Sequence, residues 1–300
     1  MVTAKPVNFT RPFTIFYIIC ANLLSISISW TIVFFVCDFH NNFILLLCIN
    51  LLTSLFLGIF NIPFGFPFLT SAFQIFAPLF YWIFWETIAK NSDNYRDPLS
   101  EVIVIILLII WSVRKWVYWL RSWRLPMELK ESYREKFPAS KMTIYYESIA
   151  YFFVLPLCIL LMYAPMEYVV FREESLDVQD LVGMLLGLSV ILWDSFAEQQ
   201  YLNFKKIYRS TNNFYSGGIY RYVRHPRYTG MLIFPLILIL FSRPSETSIY
   251  LSFTGFYIYY IHIRIWEIPN IEKYLMSVKP EYRKYRKNRA PIFPIPWIKL

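Results

Sequence analysis

Glycine is scarce, at eight in 300 residues, and no GxGxxG or GxxxxGK[ST] run occurs. That excludes the glycine loops on which Rossmann and P-loop folds cradle phosphates. Cysteine is equally thin. Cys20, Cys37, Cys48 and Cys158 lie in or beside apolar runs and none forms a CxxC pair, so they read as small apolar residues rather than a zinc or redox site. Three histidines without HExxH cannot build a histidine-rich metal centre, and no metal is expected. Charged residues make up only 16%, against roughly a quarter in soluble domains.

What fills the chain is apolar, 57% of it, and it comes in blocks. A bilayer leaves backbone groups no water to bond, so each crossing must be a self-bonded helix of about 20 apolar residues. Blocks of that kind cover Phe13–Val36, Phe43–Phe60, Leu69–Ala89, Ser100–Leu120, Ile144–Pro165, Leu181–Gln200, Tyr228–Ser242 and Ile249–Ile265. The first follows a short basic arm with Lys5 and Arg11. It is too long for a signal-peptide core and lacks a small-residue cleavage site, so it reads as a retained span. Pro63 and Pro67 bracket a turn, and the last two spans are short enough to form a hairpin around Arg243-Pro244-Ser245. The expectation is one all-α polytopic bundle of about eight spans. Residues 1–110 form an N-terminal group of helices, and 111–300 the half that carries chemistry.

The formal charge of +9 is unevenly placed. Arg121–Thr143 and Tyr201–Arg227 are basic, the latter without a single acid, and eight more basic residues follow Trp266. Met166–Asp180 instead holds Glu167, Glu173, Glu174, Asp177 and Asp180 against Arg172. With eight spans the basic regions share one side, which the positive-inside rule makes cytosolic together with both termini. Asn8-Phe9-Thr10, a glycosylation acceptor by pattern, would then be cytosolic and unmodified. Such a charge distribution suits anionic lipid or an anionic ligand; no nucleic acid is expected as a partner.

Chemistry concentrates between Trp193 and Gly230. Asp194 and Glu198, four apart on one helix face, sit at the end of an apolar span. Acids there are costly unless they meet partners or water, and the arginines downstream are the expected partners of a functional site; the plainer reading is acids snorkelling into water. Arg221, Arg224 and Arg227 then crowd with His225, Tyr220, Tyr222 and Tyr228 ahead of a span. Guanidinium forks bind phosphate or carboxylate, and tyrosines stack on a base or donate a proton. Pro226 and Gly230 would bring the backbone close to a ligand. A positive-inside anchor explains the composition equally well, but not the ordered His-Pro-x-Tyr-x-Gly.

Arg224-His225-Pro226-x-Tyr228-x-Gly230, introduced by Ser216-Gly217-Gly218-Ile219-Tyr220, resembles the signature of a superfamily of small membrane enzymes. It joins isoprenylcysteine carboxyl methyltransferases, phospholipid methyltransferases, steroid 5-alpha-reductases and sterol reductases. Ala197-Glu198-x-Gln200-x-x-x-Phe204-Lys205 resembles an element of the reductase branch. Met127-Glu128-x-x-Glu131-x-Tyr133, Ile268-Pro269-x-x-Glu272, Glu281-Tyr282-x-x-Tyr285 and Phe293-Pro294 are similar to an uncharacterised branch related to steroid 5-alpha-reductases. The resemblance spans roughly residues 114–297. This chain departs from it at Arg227, where reductases usually have Asn, at Met231, where they have Glu, and at Glu272-Lys273, where methyltransferases have Glu-Glu.

The resemblance implies a cofactor at the cytosolic face in the endoplasmic-reticulum membrane, with the basic tail Lys279–Trp297 as part of its lid. In the reductase reading, NADPH reduces a double bond of a lipid or steroid-like substrate. Lys205, Arg221 and Arg224 then meet its phosphates, Tyr220 and Tyr228 its rings, and His225, Gly230 and Glu272 complete the site. Tyr228, His225 and Glu198 are the candidate catalytic residues; Glu86 and Glu147 are further acids near span edges. In the alternative, S-adenosylmethionine occupies the same pocket and a lipid-linked acceptor is methylated, with Arg264, Glu267 or Glu272 orienting it. A third implication is a scaffold that keeps the fold without turnover. His40 reads as a loop residue and His262 as a core histidine.

Overall fold

The computed structural model describes residues 11–36, 41–60, 68–90, 98–122, 149–207, 214–242 and 246–293. Helix α1 spans Arg11–Val36, α2 Asn42–Phe60, α3 Phe68–Ala89 and α4 Pro98–Ser122. A π-helical turn, Ala150–Val154, leads into α5 (Leu155–Met162) and α6 (Met166–Val170), and α7 runs over Val178–Ile207. A 3-10 turn, Gly218–Arg221, precedes α8 (Pro226–Ser242) and α9 (Glu246–His262). A second π turn, Ile263–Glu267, opens α10 (Ile268–Val278), and α11 is Tyr282–Lys287. Among the described residues there is no strand, only one bridge between Val223 and Ala290.

The long apolar elements are helical for the reason their composition suggests, since apolar side chains point outward into lipid while the backbone bonds to itself. Phe16, Phe35, Leu55, Ile83, Leu185 and Phe196 are exposed accordingly. Among the described residues, five segments are long and apolar enough to cross a membrane: Phe16–Val33, Asn42–Phe60, Leu99–Arg121, Phe152–Val170 and Val178–Ile207. The three remaining apolar runs are helices as well. Two of them, α8 and α9, have 17 residues each. At 1.5 Å per residue that is roughly 25 Å, at the short end for a hydrocarbon core of about 30 Å. The π turns precede Pro156 and Pro269, where a missing N–H breaks the regular ladder.

Packing is pairwise. Helix α8 lies along α7, α9 on α5, α1 on α2, and α4 bridges α3 to α7. The α3 side chains Phe73, Tyr81, Phe84 and Trp85 are fully buried. Trp111 of α4 stacks on Phe234 of α8 at 4.3 Å with 5° between the rings. At the start of α7 the acidic loop is pinned inward. The Arg172 fork holds both Asp180 oxygens at 2.6 and 2.8 Å and donates to the Phe241 carbonyl at 3.0 Å. The chain after α11 returns to the start of α8, where Arg224 N–H donates to the Ala290 carbonyl and His225 N–H to that of Pro291, both at 2.9 Å.

Candidate functional site

Two charged clusters flank the stretch 224–228. The first lies between α4, α7 and α8. Arg114 reaches Glu198 at 2.5 Å and also pairs with Asp194. Lys115 pairs with Asp194 at 2.5 Å and with Glu198 at 3.0 Å. Arg227 stands 3.7 Å from Glu198 and lies over the Tyr118 ring at 4.3 Å. Asp194 and Glu198 do share a face, and it is buried. Their main partners, however, are Arg114 and Lys115, upstream on α4; of the described downstream arginines only Arg227 comes near. The overlooked signal was two adjacent cations inside an otherwise apolar span, a costly placement that demands acids across the interface. Gly230 serves this cluster, since a Cβ there would come within 3.0 Å of the Asp194 carboxylate. The close approach that Gly230 allows is thus helix to helix.

The second cluster is built on one carboxylate. Glu272, on α10, is 1% exposed. Arg224 stands 3.1 Å from one of its oxygens and Arg286 2.8 Å from the other. His225 Nε2–H donates to Oε1 at 3.1 Å, since a carboxylate only accepts, and the Tyr282 hydroxyl donates at 3.4 Å. Burial works to raise this carboxyl, but the His225 hydrogen bond and the charges of His225, Arg224 and Arg286 prevail and hold it below its ordinary value. Burial also raises the phenols of Tyr282 and Tyr285 and lowers Arg224 against the pull of Glu272. The Tyr285 hydroxyl donates to the Tyr220 carbonyl at 2.6 Å, and Thr229 to that of Ile292. Signature and tail therefore fold as one piece.

Above Glu272 opens a cleft of about 450 Å³ lined by Arg224, Arg264, Met276, Arg283, Arg286 and Lys287. Five of its six lining residues are cations. Residues 283, 286 and 287 share one face of α11 at helical spacing, and the π turn carries Arg264. On the other face of α11 a second cleft, about 420 Å³, is lined by Phe214, Ser216, Glu281, Lys284, Tyr285, Asn288 and Arg289.

Of the residues singled out in the sequence, Arg224, His225 and Glu272 come together, with Tyr228 beside His225 at 6.0 Å between rings. Tyr220 is buried against Tyr215 and Tyr201. Gly218 takes φ +52°, and Gln200 accepts a hydrogen bond from Ile219 N–H at 3.1 Å, so the α7 element clamps the Ser-Gly-Gly turn. Arg221 is exposed, outside the cationic cleft. Lys205 is half-buried, 5.7 Å over the Tyr201 ring. Glu86 pairs with Lys90 at 3.5 Å and His262 with Glu267 at 3.3 Å. Asn8, His40, Pro63, Pro67, Glu147, the 127–133 element, the 243–245 hairpin and the tail beyond Phe293 lie outside the described residues. Sequence reading placed the tail from Lys279 in a lid but did not single out Arg283, Arg286 and Lys287 as a cleft wall. It also missed a polar pair deep in the N-terminal helices, where the Tyr81 hydroxyl donates to Asn50 Oδ1 at 2.7 Å and Asn50 Nδ2 is buried without a partner.

Comparison with known proteins bears on this arrangement. The profile of a family described as a protein of unknown function (DUF1295) matches residues 70–289. The chain belongs to the DUF1295 family. The match takes in both charged clusters and every described candidate of the signature; α1 and α2 precede it. No curated protein and no solved structure matches the chain. What a DUF1295 protein of this sequence does must be argued from its own side chains.

Proposed function

We propose that this protein is a membrane-embedded, NADPH-dependent reductase of a lipid or steroid-like substrate, in the endoplasmic-reticulum membrane with its basic face and both termini in the cytosol. The observation that carries the reading is the cleft lined by Arg224, Arg264, Arg283, Arg286 and Lys287. Guanidinium forks in that density fit phosphates. NADPH brings several phosphate charges and S-adenosylmethionine none, so the lining favours the nucleotide. The association of DUF1295 with steroid 5-alpha-reductase-like proteins supports the same direction.

In this reading Arg264, Arg283, Arg286 and Lys287 hold the phosphates. Glu272 positions Arg224 and His225 and ties the tail over them. When bound, the cofactor supplies a hydride to an electron-poor double bond. His225 and Tyr228 stand next to the cleft, where they orient its rings. Inside the bundle the Asn50 amide, whose oxygen is held by the Tyr81 hydroxyl and whose Nδ2 is unpartnered, is a donor able to polarise a substrate carbonyl. Glu198, held by Arg114 and Lys115, ties α4 to α7.

The test is the affinity of purified protein for NADPH and NADH, followed by nucleotide fluorescence. Arg264→Ala and Arg286→Ala should each weaken NADPH by about tenfold, the low end for a charge-assisted hydrogen bond. Arg221→Ala, outside the cleft, should leave it within about twofold on the same reasoning. Equal NADPH affinity in the wild type and both cleft variants would overturn the assignment.

A further inference from the structure

The cluster around Arg227 is not used by the reading above, and its charges do not balance. Among the described residues, Arg114, Lys115 and Arg227 face only Asp194 and Glu198. Arg114 and Lys115 already pair with both carboxylates at contact distance, Asp194 through Oδ2 while its Oδ1 has no hydrogen-bond partner. Arg227, at 3.7 Å from Glu198, is beyond hydrogen-bond reach of it, and its Nε is buried with no hydrogen-bond partner. Yet its side chain is 40% exposed, so the cluster does not seal it in. An unbalanced cation between helices is costly, and an anion that completes the cluster would repay it.

The surroundings specify the anion further. Arg227 lies over Tyr118, and Tyr201 and Tyr220 stand beside it with their rings stacked at 6.3 Å. Neither of those two phenols has a hydrogen-bond partner among the described residues, so both are donors available to an oxyanion. The helices that meet here, α4 and α7, are spans whose outer faces are apolar, with Val113, Val117 and Phe196 exposed to lipid. A ligand arriving here comes from the bilayer.

We propose that Arg227, with Tyr201 and Tyr220, binds the anionic head of an acidic lipid, a carboxylate or a phosphate ester, whose chain lies along the α4–α7 surface. This deepens the reductase reading by naming the substrate class: a lipid acid rather than a neutral sterol. The nucleotide cleft begins three residues away, at Arg224, so the two sites meet across residues 224–228.

The test uses the full chain in nanodiscs of neutral phosphatidylcholine, with cis-parinaric acid and its methyl ester as fluorescent probes and NADPH affinity measured on the same samples. Wild type should bind the acid at least about tenfold more tightly than the ester, the scale of a charge-assisted hydrogen bond. Oleic acid or lysophosphatidic acid, but not monoolein, should displace the probe, and the stronger of the two identifies the head group. Arg227→Gln should abolish the preference and Arg227→Lys retain most of it, each with NADPH affinity unchanged; the lysine variant separates charge from misfolding. Equal binding of acid and ester by wild type, or an undiminished preference in Arg227→Gln, overturns the proposal. So does a parallel loss of NADPH affinity in Arg227→Gln, because the pocket would then belong to the nucleotide. An acid preference that depends on Arg227 in a protein without NADPH affinity refutes the nucleotide reading alone.

Discussion

Removing Glu272 should release the C-terminal tail without unfolding the bundle. This carboxylate, 1% exposed, is the shared partner of Arg224, His225, Arg286 and Tyr282. Breaking a buried ion pair by deleting one partner costs about 3–5 kcal/mol, because the other charge is left uncompensated. Arg286 is 47% exposed and can turn to water, which puts the expected cost at the lower end, about 3 kcal/mol. That enlarges the tail-released population roughly a hundredfold, at 1.4 kcal/mol per tenfold. Trypsin reads it directly, since Arg283, Lys284, Arg286, Lys287 and Arg289 all lie on the tail. In Glu272→Ala, cleavage across 283–289 should accelerate by about two orders of magnitude, with the helical circular dichroism retained. Arg286→Ala, which removes a half-exposed partner, should accelerate it by no more than about tenfold. Unchanged tail cleavage in Glu272→Ala would refute the role assigned to this carboxylate.

Acid should act on the same joint. Because the folded Glu272 carboxyl titrates below its ordinary value, its stabilisation is complete above that value and drains away as pH falls through the folded one. Tail cleavage by an acid-active protease should therefore rise below about pH 4 in wild type and be flat with pH in Glu272→Ala. Gly218→Ala should cost about 1–3 kcal/mol from its φ of +52° alone, and more because the new Cβ would run into the Gln200 side chain; an undiminished melting temperature would contradict the clamp between α7 and the turn. Arg114→Leu should destabilise by about 1.5–3 kcal/mol, the scale of the charge-assisted hydrogen bonds lost to Glu198 and Asp194, which keep Lys115, and Asp194→Asn introduced with it should recover part of the loss. A double variant no more stable than the single one would argue against charge as the cause.

The helices were legible because apolar blocks in a chain with 16% charge have one way to satisfy their backbones. Their lengths were less so: α8 and α9 end after 17 residues, and a hydropathy pattern does not separate a short crossing from a helix packed inside the bundle. Asp194 and Glu198 stood out correctly as acids needing partners. The partners were sought nearby in sequence, whereas α4 supplies them from 80 residues away, a pairing that only packing reveals. Arg224, His225 and Glu272 were named together through the signature and the tail motif. Arg286, one of several similar cations in a basic tail, carried no mark that distinguishes a cleft wall from a membrane-surface residue.

The most direct test of the central claim is ligand-dependent thermal stability of the folded protein with NADPH, NADH, S-adenosylmethionine and S-adenosylhomocysteine. A ligand that binds only the native state stabilises it by about 2.7 kcal/mol at a hundredfold excess over its dissociation constant. The cationic cleft predicts a rise with NADPH, a smaller one with NADH and none with the sulfonium pair. A rise with S-adenosylmethionine or its product alone would contradict the reductase reading, and no rise with any of the four would leave the cleft without the nucleotide assigned to it.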